Sequence, residues 1–153
     1  MNSVVNISHV EHSPILISNK YALFLIYTEF SGVWHLIDNK FVSISNGSKQ
    51  IRTITLNTKS AKMPLILVHG MGSGVGLWSL NLHSLSLHRP IYAFDLLGFG
   101  GSSRPEFSSD SMLAEMEFVE SIEEWRQEMK LDKFILLGHS LGGFLAMSYA
   151  IRY

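Results

Sequence analysis

The stretch FILLGHSLGGFLAMSYAI, residues 134–151, contains the feature that decides the fold. Its first four residues are an unbroken apolar run, which is typical of a strand buried on both faces of a sheet. Residues 143–151 are mostly apolar and predict a buried helix. Between them stands the pentapeptide GHSLG at 138–142, the G-x-S-x-G pattern of a sharp turn from strand to helix. The segment therefore predicts a strand, a tight turn and a helix in direct succession.

The turn explains why the pattern needs these residue types. Gly138 and Gly142 leave room for the chain to fold tightly around Ser140, which is forced into a strained conformation at the apex. The following helix points its first N–H groups at the same spot, and their partial positive charge favours an oxyanion there. We therefore predict that Ser140 is a nucleophile. The alternative is an ordinary Gly/Ser turn, and the strand and helix on either side argue against it.

An upstream apolar strand also ends in a glycine-rich turn, His69-Gly70-Met71-Gly72. This H-G-x-G form resembles the loop after the third strand of α/β-hydrolases. The resemblance implies that the backbone N–H groups of Met71 and Leu141 form an oxyanion hole. His69, Gly70 and Gly72 would shape the loop, because a substrate carbonyl must approach the backbone closely where a Cβ would block it. His69 is also the best candidate in this chain for a substitute base, although shaping the loop is its favoured role.

The glycines of residues 70–76 raise the alternative of a nucleotide-binding loop. They fit neither G-x-G-x-x-G, whose third glycine would fall on Val75 or Leu77, nor the P-loop pattern. The chain has no cysteine, and no pair of histidines shows a metal-binding spacing. We therefore predict no cofactor and no metal.

A third strand, at 91–94, leads into Asp95 and a loop rich in glycine and serine. This segment resembles the D-x-x-G-x-G-x-S stretch after the fourth strand of α/β-hydrolases. The resemblance implies that Asp95 ties down a loop and is not the catalytic acid.

Three stretches together, DLLGFGGSSRPEF, FVESIEEW and ILLGHSLGGFLA, resemble the lysophospholipase and N-acyl-phosphatidylethanolamine lipase branch of the α/β-hydrolase-domain family. The resemblance implies a serine ester or amide hydrolase of (lyso)phospholipid or N-acyl-phospholipid metabolism, with acyltransferase activity as a further option. A sister branch, the comparative-gene-identification lipase co-activator, has Asn in place of the nucleophile. This chain has Ser140 there, which favours the enzyme branch. The family usually has a basic residue where this chain has Gly101, and residues 1–40 do not resemble the family.

The remaining pattern predicts the order of the elements. Strands at 41–44 and 51–56 flank Asn46-Gly47, which is a hairpin signal. Further strands are predicted at 65–68, 91–94 and 134–137, and helices at 76–87, at 111–129 and after Ser140. This alternation predicts an α/β fold with a mostly parallel sheet and helices on both faces. Residues 41–153 would be the N-terminal half of an α/β-hydrolase domain, and residues 1–40 a separate extension.

Apolar residues recur every three or four positions in the predicted helix 111–129, and Asp110 or Ser111 can cap it. The spacing predicts a core-facing stripe of Met112, Met116, Val119, Ile122, Trp125 and Met129.

An activated serine needs a base, and that base needs an orienting acid. In this fold both follow the serine, but no Asp, Glu or His occurs after Ser140. We therefore expect this chain to be inactive alone and to lack the later strands and the lid, leaving an open apolar sheet edge. Two alternatives stay open: a non-catalytic regulator that binds lipid droplets or a lipase, and a fragment without independent function.

The formal charge of −1 at neutral pH gives no indication of nucleic-acid binding. No apolar run reaches the roughly 18–20 residues of a membrane span. The resemblance implies a phospholipid or acylglycerol-like substrate, and a lipid droplet, a membrane surface or a lipase as partners. It also implies an intracellular protein of the cytoplasm, with the lipid droplet, endoplasmic reticulum and mitochondrion as further locations.

Overall fold

A computed structural model describes residues 36–153, so most of the predicted extension 1–40 lies outside the described residues. The described part contains a five-stranded mixed sheet. Its strands are β1 (Asp38–Ile44), β2 (Lys49–Leu56), β3 (Leu65–Val68), β4 (Ile91–Phe94) and β5 (Ile135–Gly138). The helices are α1 (Leu82–Ser86), α2 (Ser111–Glu128) and α3 (Leu141–Arg152), with a 3-10 turn at Val75–Trp78.

The strands are arranged in the order β1-β2-β4-β3-β5. β3 pairs in parallel with β4 and β5, whereas β2 pairs antiparallel with β1 and β4. Among the described strands, β2 alone therefore runs opposite to the others. The predicted α/β fold with a mostly parallel sheet is confirmed.

The hairpin is also confirmed, but its first strand is longer than predicted. β1 begins at Asp38, three residues before the predicted start at 41. Asp38, Asn39 and Lys40 are exposed and pair with β2 through their backbone, so hydrophobic alternation could not mark them. The division of the chain at residue 40 stays a prediction.

Two apolar clusters lie on opposite faces of the sheet because successive strand residues point to opposite sides. Ile66 and Val68 of β3 face a cluster completed by α2 and α3. Leu65 and Leu67 face a second cluster completed by α1 and the 3-10 turn. Helical elements therefore cover both faces, as the sequence predicts.

The predicted helix 76–87 is wrong as a single element. The chain forms the 3-10 turn Val75–Trp78 and then the five-residue helix α1. Residues 79–81 join the two pieces. Gly76 and Asn81 are poor helix formers, which disfavours one continuous helix across this segment.

The predicted stripe on α2 is core only in its C-terminal part. Val119, Ile122 and Trp125 are buried, but Met112 and Met116 are 73% and 37% exposed. The contacts of α2 with the sheet are mainly with β1, and the buried cluster that α2 joins includes Val119, Ile122 and Trp125 but neither Met112 nor Met116. The N-terminal turns of α2 therefore lie outside the core. Asp110 caps the helix, because its Oδ1 accepts hydrogen bonds from the N–H groups of Met112 and Leu113.

β5 lies at one end of the described sheet and pairs only with β3 among the described strands. Its side chains Ile135 and Leu137 are 41% and 40% exposed. Their register partners Leu65 and Leu67 are buried. None of the helices within residues 36–153 has the length and apolar character needed to cross a membrane.

Polar side chains join α2 to α3 around Glu123, which is almost fully buried. Its carboxylate accepts hydrogen bonds from the Arg126 guanidinium at 2.8 Å, from the Gln127 amide at 2.8 Å and from the Tyr149 hydroxyl at 2.5 Å. The hydrogen bonds from Arg126 are the largest cause that lowers the pKa of Glu123 to about 2. The network therefore favours the charged carboxylate.

Glu123→Gln is expected to lower the free energy of unfolding near neutral pH by roughly 1.5–3 kcal/mol, the range for hydrogen bonds to a charged group. The folded-state pKa lies below the ordinary value of 4.5, so this stabilisation is present above about pH 4.5 and is lost as the pH falls through about 2. Urea unfolding measured at several pH values should show the difference between the variant and the parent closing over that window. Glu128→Gln, at an exposed position of the same helix, serves as control. If the difference in unfolding free energy between Glu123→Gln and the parent persists near pH 2, the stabilising role assigned to the charged Glu123 carboxylate is contradicted.

Candidate active site

Ser140 stands between the end of β5 and the start of α3. Its backbone angles are φ 54° and ψ −120°, in a region that residues with a Cβ rarely adopt. The residue is exposed, at the junction of a strand without fully buried residues and a helix in which Gly142, Leu145 and Tyr149 are buried. Strain of this kind persists only where the surrounding structure enforces it, and it is common at functional sites.

The tight turn requires glycine at both positions of the pentapeptide, because a side chain at either one would clash with backbone atoms. A Cβ at Gly138 would lie 2.1 Å from the Gly142 carbonyl oxygen. A Cβ at Gly142 would lie 2.3 Å from the Val68 carbonyl oxygen and 2.5 Å from that of His69. The start of α3 is therefore packed directly against the end of β3.

The same packing brings the glycine-rich loop after β3 to the serine. A Cβ at Gly70 would lie 3.0 Å from the Cβ of Ser140 and 3.0 Å from the Nδ1 of His139. No acceptor within residues 36–153 is found for the N–H of Met71 or of Leu141. The arrangement places two unengaged backbone donors on the two segments that meet at Ser140.

Both ring nitrogens of His69 are engaged, and the residue is fully buried. Nε2 accepts from the Leu96 N–H at 2.9 Å, so the proton on Nδ1 is donated to the Gly70 carbonyl oxygen at 2.7 Å. Burial lowers the pKa of His69, and the contact with Gly70 and the charge of Asp95 oppose this only in part. A neutral imidazole with both nitrogens occupied has no lone pair for Ser140.

The bond from His69 also orients its neighbour. The carbonyl of Gly70 and the N–H of Met71 belong to one planar trans peptide and point in opposite directions. Holding that carbonyl against the imidazole therefore directs the Met71 N–H away from it. His69 thus sets the orientation of a backbone donor without touching the serine.

Asp95 joins the two glycine-rich loops. Its fully buried carboxylate accepts from the N–H of Val75 at 2.7 Å and from the N–H of Gly101 at 2.7 Å. The Arg52 guanidinium approaches to 3.4 Å from the second strand. A Cβ at Gly100 would lie 2.1 Å from the Asp95 carboxylate, so the loop after β4 wraps closely around it. The carboxylate is buried, and its contacts are with loop N–H groups and the Arg52 guanidinium.

Sequence reasoning missed three residues that support these loops. Arg52 pairs with Asp95 from within an alternating strand, and nothing in that pattern distinguishes it. The Ser102 hydroxyl donates to the Asp95 carbonyl oxygen at 2.6 Å and accepts from the Arg52 N–H at 2.9 Å. The rings of Phe99 and His69 form a T-shaped pair, with their centroids 5.6 Å apart. Ser102 and Phe99 belong to the stretch DLLGFGGSSRPEF, and the resemblance of that stretch to the family could have indicated them.

The described residues thus bring together Ser140, the loop Gly70–Gly72 and the start of α3 at Gly142, with Asp95 beneath the loops. No hydrogen bond to the Ser140 hydroxyl is found within this part of the chain. No group of three or more His, Asp or Glu side chains among residues 36–153 could hold a metal ion. Chemically, the arrangement offers an exposed hydroxyl next to two backbone N–H donors.

Comparison with known proteins identifies the fold family. The model of the alpha/beta hydrolase fold family matches residues 63–153. The chain therefore belongs to the α/β-hydrolase fold family.

Among curated proteins, the human 1-acylglycerol-3-phosphate O-acyltransferase ABHD5 is 58% identical over 112 residues, covering 73% of this chain and 32% of the relative. The human (lyso)-N-acylphosphatidylethanolamine lipase is 56% identical over 115 residues, covering 74% and 33%. The chain thus spans about a third of the length of these relatives. A crystal structure of a membrane phospholipase A described as a bacterial virulence factor superposes with a TM-score of 0.70 at 23% identity, covering 87% of this chain and 42% of that one. That likeness shows the fold.

Proposed function

We propose that this chain carries the nucleophile and the oxyanion-binding half of a lipid-acyl-processing serine hydrolase site. The observation that carries the proposal is the strained Ser140 next to the Gly70–Met71 peptide, with N–H groups at Met71 and Leu141 that find no acceptor within residues 36–153. Ser140 Oγ would attack an acyl carbonyl carbon, and the two N–H groups would stabilise the negative oxygen of the tetrahedral intermediate. Collapse of this intermediate breaks the bond to the leaving oxygen or nitrogen, which departs with the proton from the serine.

The substrate class rests on the names of the two relatives. One is named for acyl transfer to an acylglycerol phosphate and the other for cleavage of an N-acyl phospholipid. Both names involve a glycerophospholipid and an acyl group, and both acyl transfer and acyl cleavage can pass through an acyl-serine. Water completes hydrolysis of this intermediate, and an alcohol completes acyl transfer. We therefore propose acyl groups of (lyso)phospholipids as the substrate class.

The general base and its acid are not assigned within this chain. Ser140 has no imidazole partner in the described part, and both ring nitrogens of His69 are hydrogen-bonded to backbone groups of Gly70 and Leu96. The isolated chain is therefore expected to turn over no ester. An added base should restore part of the lost reactivity of Ser140, because a positioned general base raises a reaction rate by about 10²- to 10⁴-fold.

A fluorophosphonate probe tests the nucleophile in the 153-residue chain. Labelling of Ser140 is expected to be slow alone and at least about tenfold faster with added imidazole, a modest part of the effect of a positioned base. Mass spectrometry of the labelled peptide identifies the site. Ser140→Ala should abolish the imidazole-dependent labelling, whereas Ser73→Ala, in the neighbouring loop, should not change it.

Labelling that persists in Ser140→Ala would place the nucleophile elsewhere. A folded chain that shows no labelling at Ser140 with imidazole would favour the non-catalytic regulator instead.

A further inference from the structure

Met71 presents a thioether to solvent in the loop beside Ser140. The residue is 73% exposed, and its neighbours in the chain, Gly70 and Gly72, have no side chains that could cover it. A Cβ at Gly70 would lie 3.0 Å from the Cβ of Ser140, so the loop that carries Met71 lies directly against the serine. A small oxidant in solution can therefore reach a sulfur atom at the edge of the candidate active site.

Met112, at the start of α2, is equally exposed at 73% but differs from Met71 in its backbone. The Met112 N–H donates to the Asp110 Oδ1 at 2.9 Å. The Met71 N–H finds no acceptor within residues 36–153. Of these two equally exposed methionines, Met71 is the one whose own backbone donor has no acceptor in the described part of the chain.

Hydrogen peroxide converts an exposed methionine to its sulfoxide. The sulfur lone pair attacks one peroxide oxygen, and the O–O bond breaks as the S–O bond forms. The hydrogen on the transferred oxygen passes to the leaving oxygen, which departs as water. The sulfur loses two electrons, and the peroxide is reduced. A flexible apolar side chain thereby becomes a polar one that carries a hydrogen-bond acceptor.

The new oxygen can reach the N–H group of its own residue. The amide hydrogen, N, Cα, Cβ, Cγ, Sδ and the sulfoxide oxygen close a seven-membered ring, the ring size of the hydrogen bond in a γ-turn. The reach follows from covalent connectivity, so it needs no movement of the loop. A hydrogen bond in this ring would occupy the Met71 N–H, which is one of the two donors assigned to the oxyanion.

We propose that Met71 is a peroxide-sensitive modification site whose sulfoxide occupies the oxyanion-binding N–H beside Ser140. The inference rests on the proposed function of Ser140 and adds a chemical control to it. Oxidation would lower the reactivity of Ser140 without altering the serine itself. The effect would be reversible, because methionine sulfoxide reductases restore the thioether.

Peroxide treatment of the 153-residue chain tests the effect on Ser140, with mass spectrometry reporting the oxidation of each methionine. Both Met71 and Met112 should be oxidised, because they are equally exposed. Imidazole-dependent fluorophosphonate labelling of Ser140 should then fall at least about tenfold, a modest part of the effect of removing one oxyanion donor. Methionine sulfoxide reductases should restore the labelling.

Two variants separate Met71 from the other methionines, each compared with its own sample before peroxide. Met71→Leu should show no fall in labelling, because leucine has no sulfur to oxidise. Met112→Leu should show the same fall as the parent. An equal fall in Met71→Leu and in the parent would overturn the inference, as would a Met71 that resists peroxide or a loss that the reductases do not reverse.

Amide NMR of isotope-labelled chain decides the inference separately from the proposed function. On oxidation, the amide proton of Met71 should move downfield as its new hydrogen bond forms. The amide proton of Met112, which already donates to Asp110, should change little. An unchanged Met71 amide in chain oxidised at Met71 contradicts the inference. A failure of Ser140 to label before any peroxide is added counts against the proposed function instead, and the Met71 amide still gives its answer.

Discussion

Gly142→Ala is expected to cost at least about 3 kcal/mol of stability, the upper part of the range for overpacking, or to prevent folding. The added Cβ would lie 2.3 Å from the Val68 carbonyl oxygen and 2.5 Å from the His69 carbonyl oxygen. Both obstacles are backbone atoms at the end of a central strand, so neither can rotate aside. Relief would require α3 to move away from β3, which would also separate Ser140 from Gly70. Urea unfolding of the variant and its parent measures the effect.

The next residue provides the matched control. A Cβ at Gly143 would lie 3.3 Å from its nearest neighbour, the Gly138 carbonyl oxygen. A small displacement accommodates it, and alanine favours a helix over glycine by about 1 kcal/mol. Gly143→Ala should therefore remain within about 1 kcal/mol of the parent. Similar losses at the two glycines would show that helix propensity, not the contact with β3, governs this turn.

Asp95→Ala is expected to cost about 3–5 kcal/mol, the range for removing one partner of a buried ion pair. The carboxylate accepts from Val75 and Gly101 and lies 3.4 Å from the Arg52 guanidinium. Alanine would leave two N–H groups without their acceptor and a buried cation without its carboxylate. The loops after β3 and β4 would then lose their common attachment.

Chemical denaturation followed by tryptophan fluorescence measures that loss. Asp132→Ala, at an exposed aspartate, should change stability by less than about 0.5 kcal/mol, as is usual for surface substitutions. An Asp95 variant as stable as the Asp132 variant would contradict the structural role assigned to this carboxylate.

The elements that were predicted well are those whose signals are local. The hairpin around Asn46-Gly47 forms because these residues accept positive φ, here 54° and 86°. Asp110 was recognisable as a cap because a short acceptor side chain immediately precedes an apolar periodic segment. The turn at Ser140 was readable because strand, glycine spacing and helix occur within one short stretch of sequence. In each case the decisive contacts join residues a few positions apart.

The errors arose where neighbours in space decided the outcome. Met112 and Met116 have the correct helical spacing for a core stripe, but they lie outside the buried cluster that α2 joins through Val119, Ile122 and Trp125. The single helix predicted at 76–87 divides into a 3-10 turn and α1. Periodicity reports which residues share a face, and it carries no information on how far the opposing surface extends.

By itself, the sequence determined the α/β class, the strained turn at Ser140 and the glycine-rich loop at Gly70, because each follows from local backbone requirements. Only the tertiary structure decided that these two segments meet, although they lie seventy positions apart in the chain. It also decided the partner of Asp95 and the protonated nitrogen of His69. The physical reason is that hydrogen bonds between distant segments depend on the strand order, which places β3 beside both β4 and β5. Hydrophobic patterning along one strand does not specify its neighbours in the sheet.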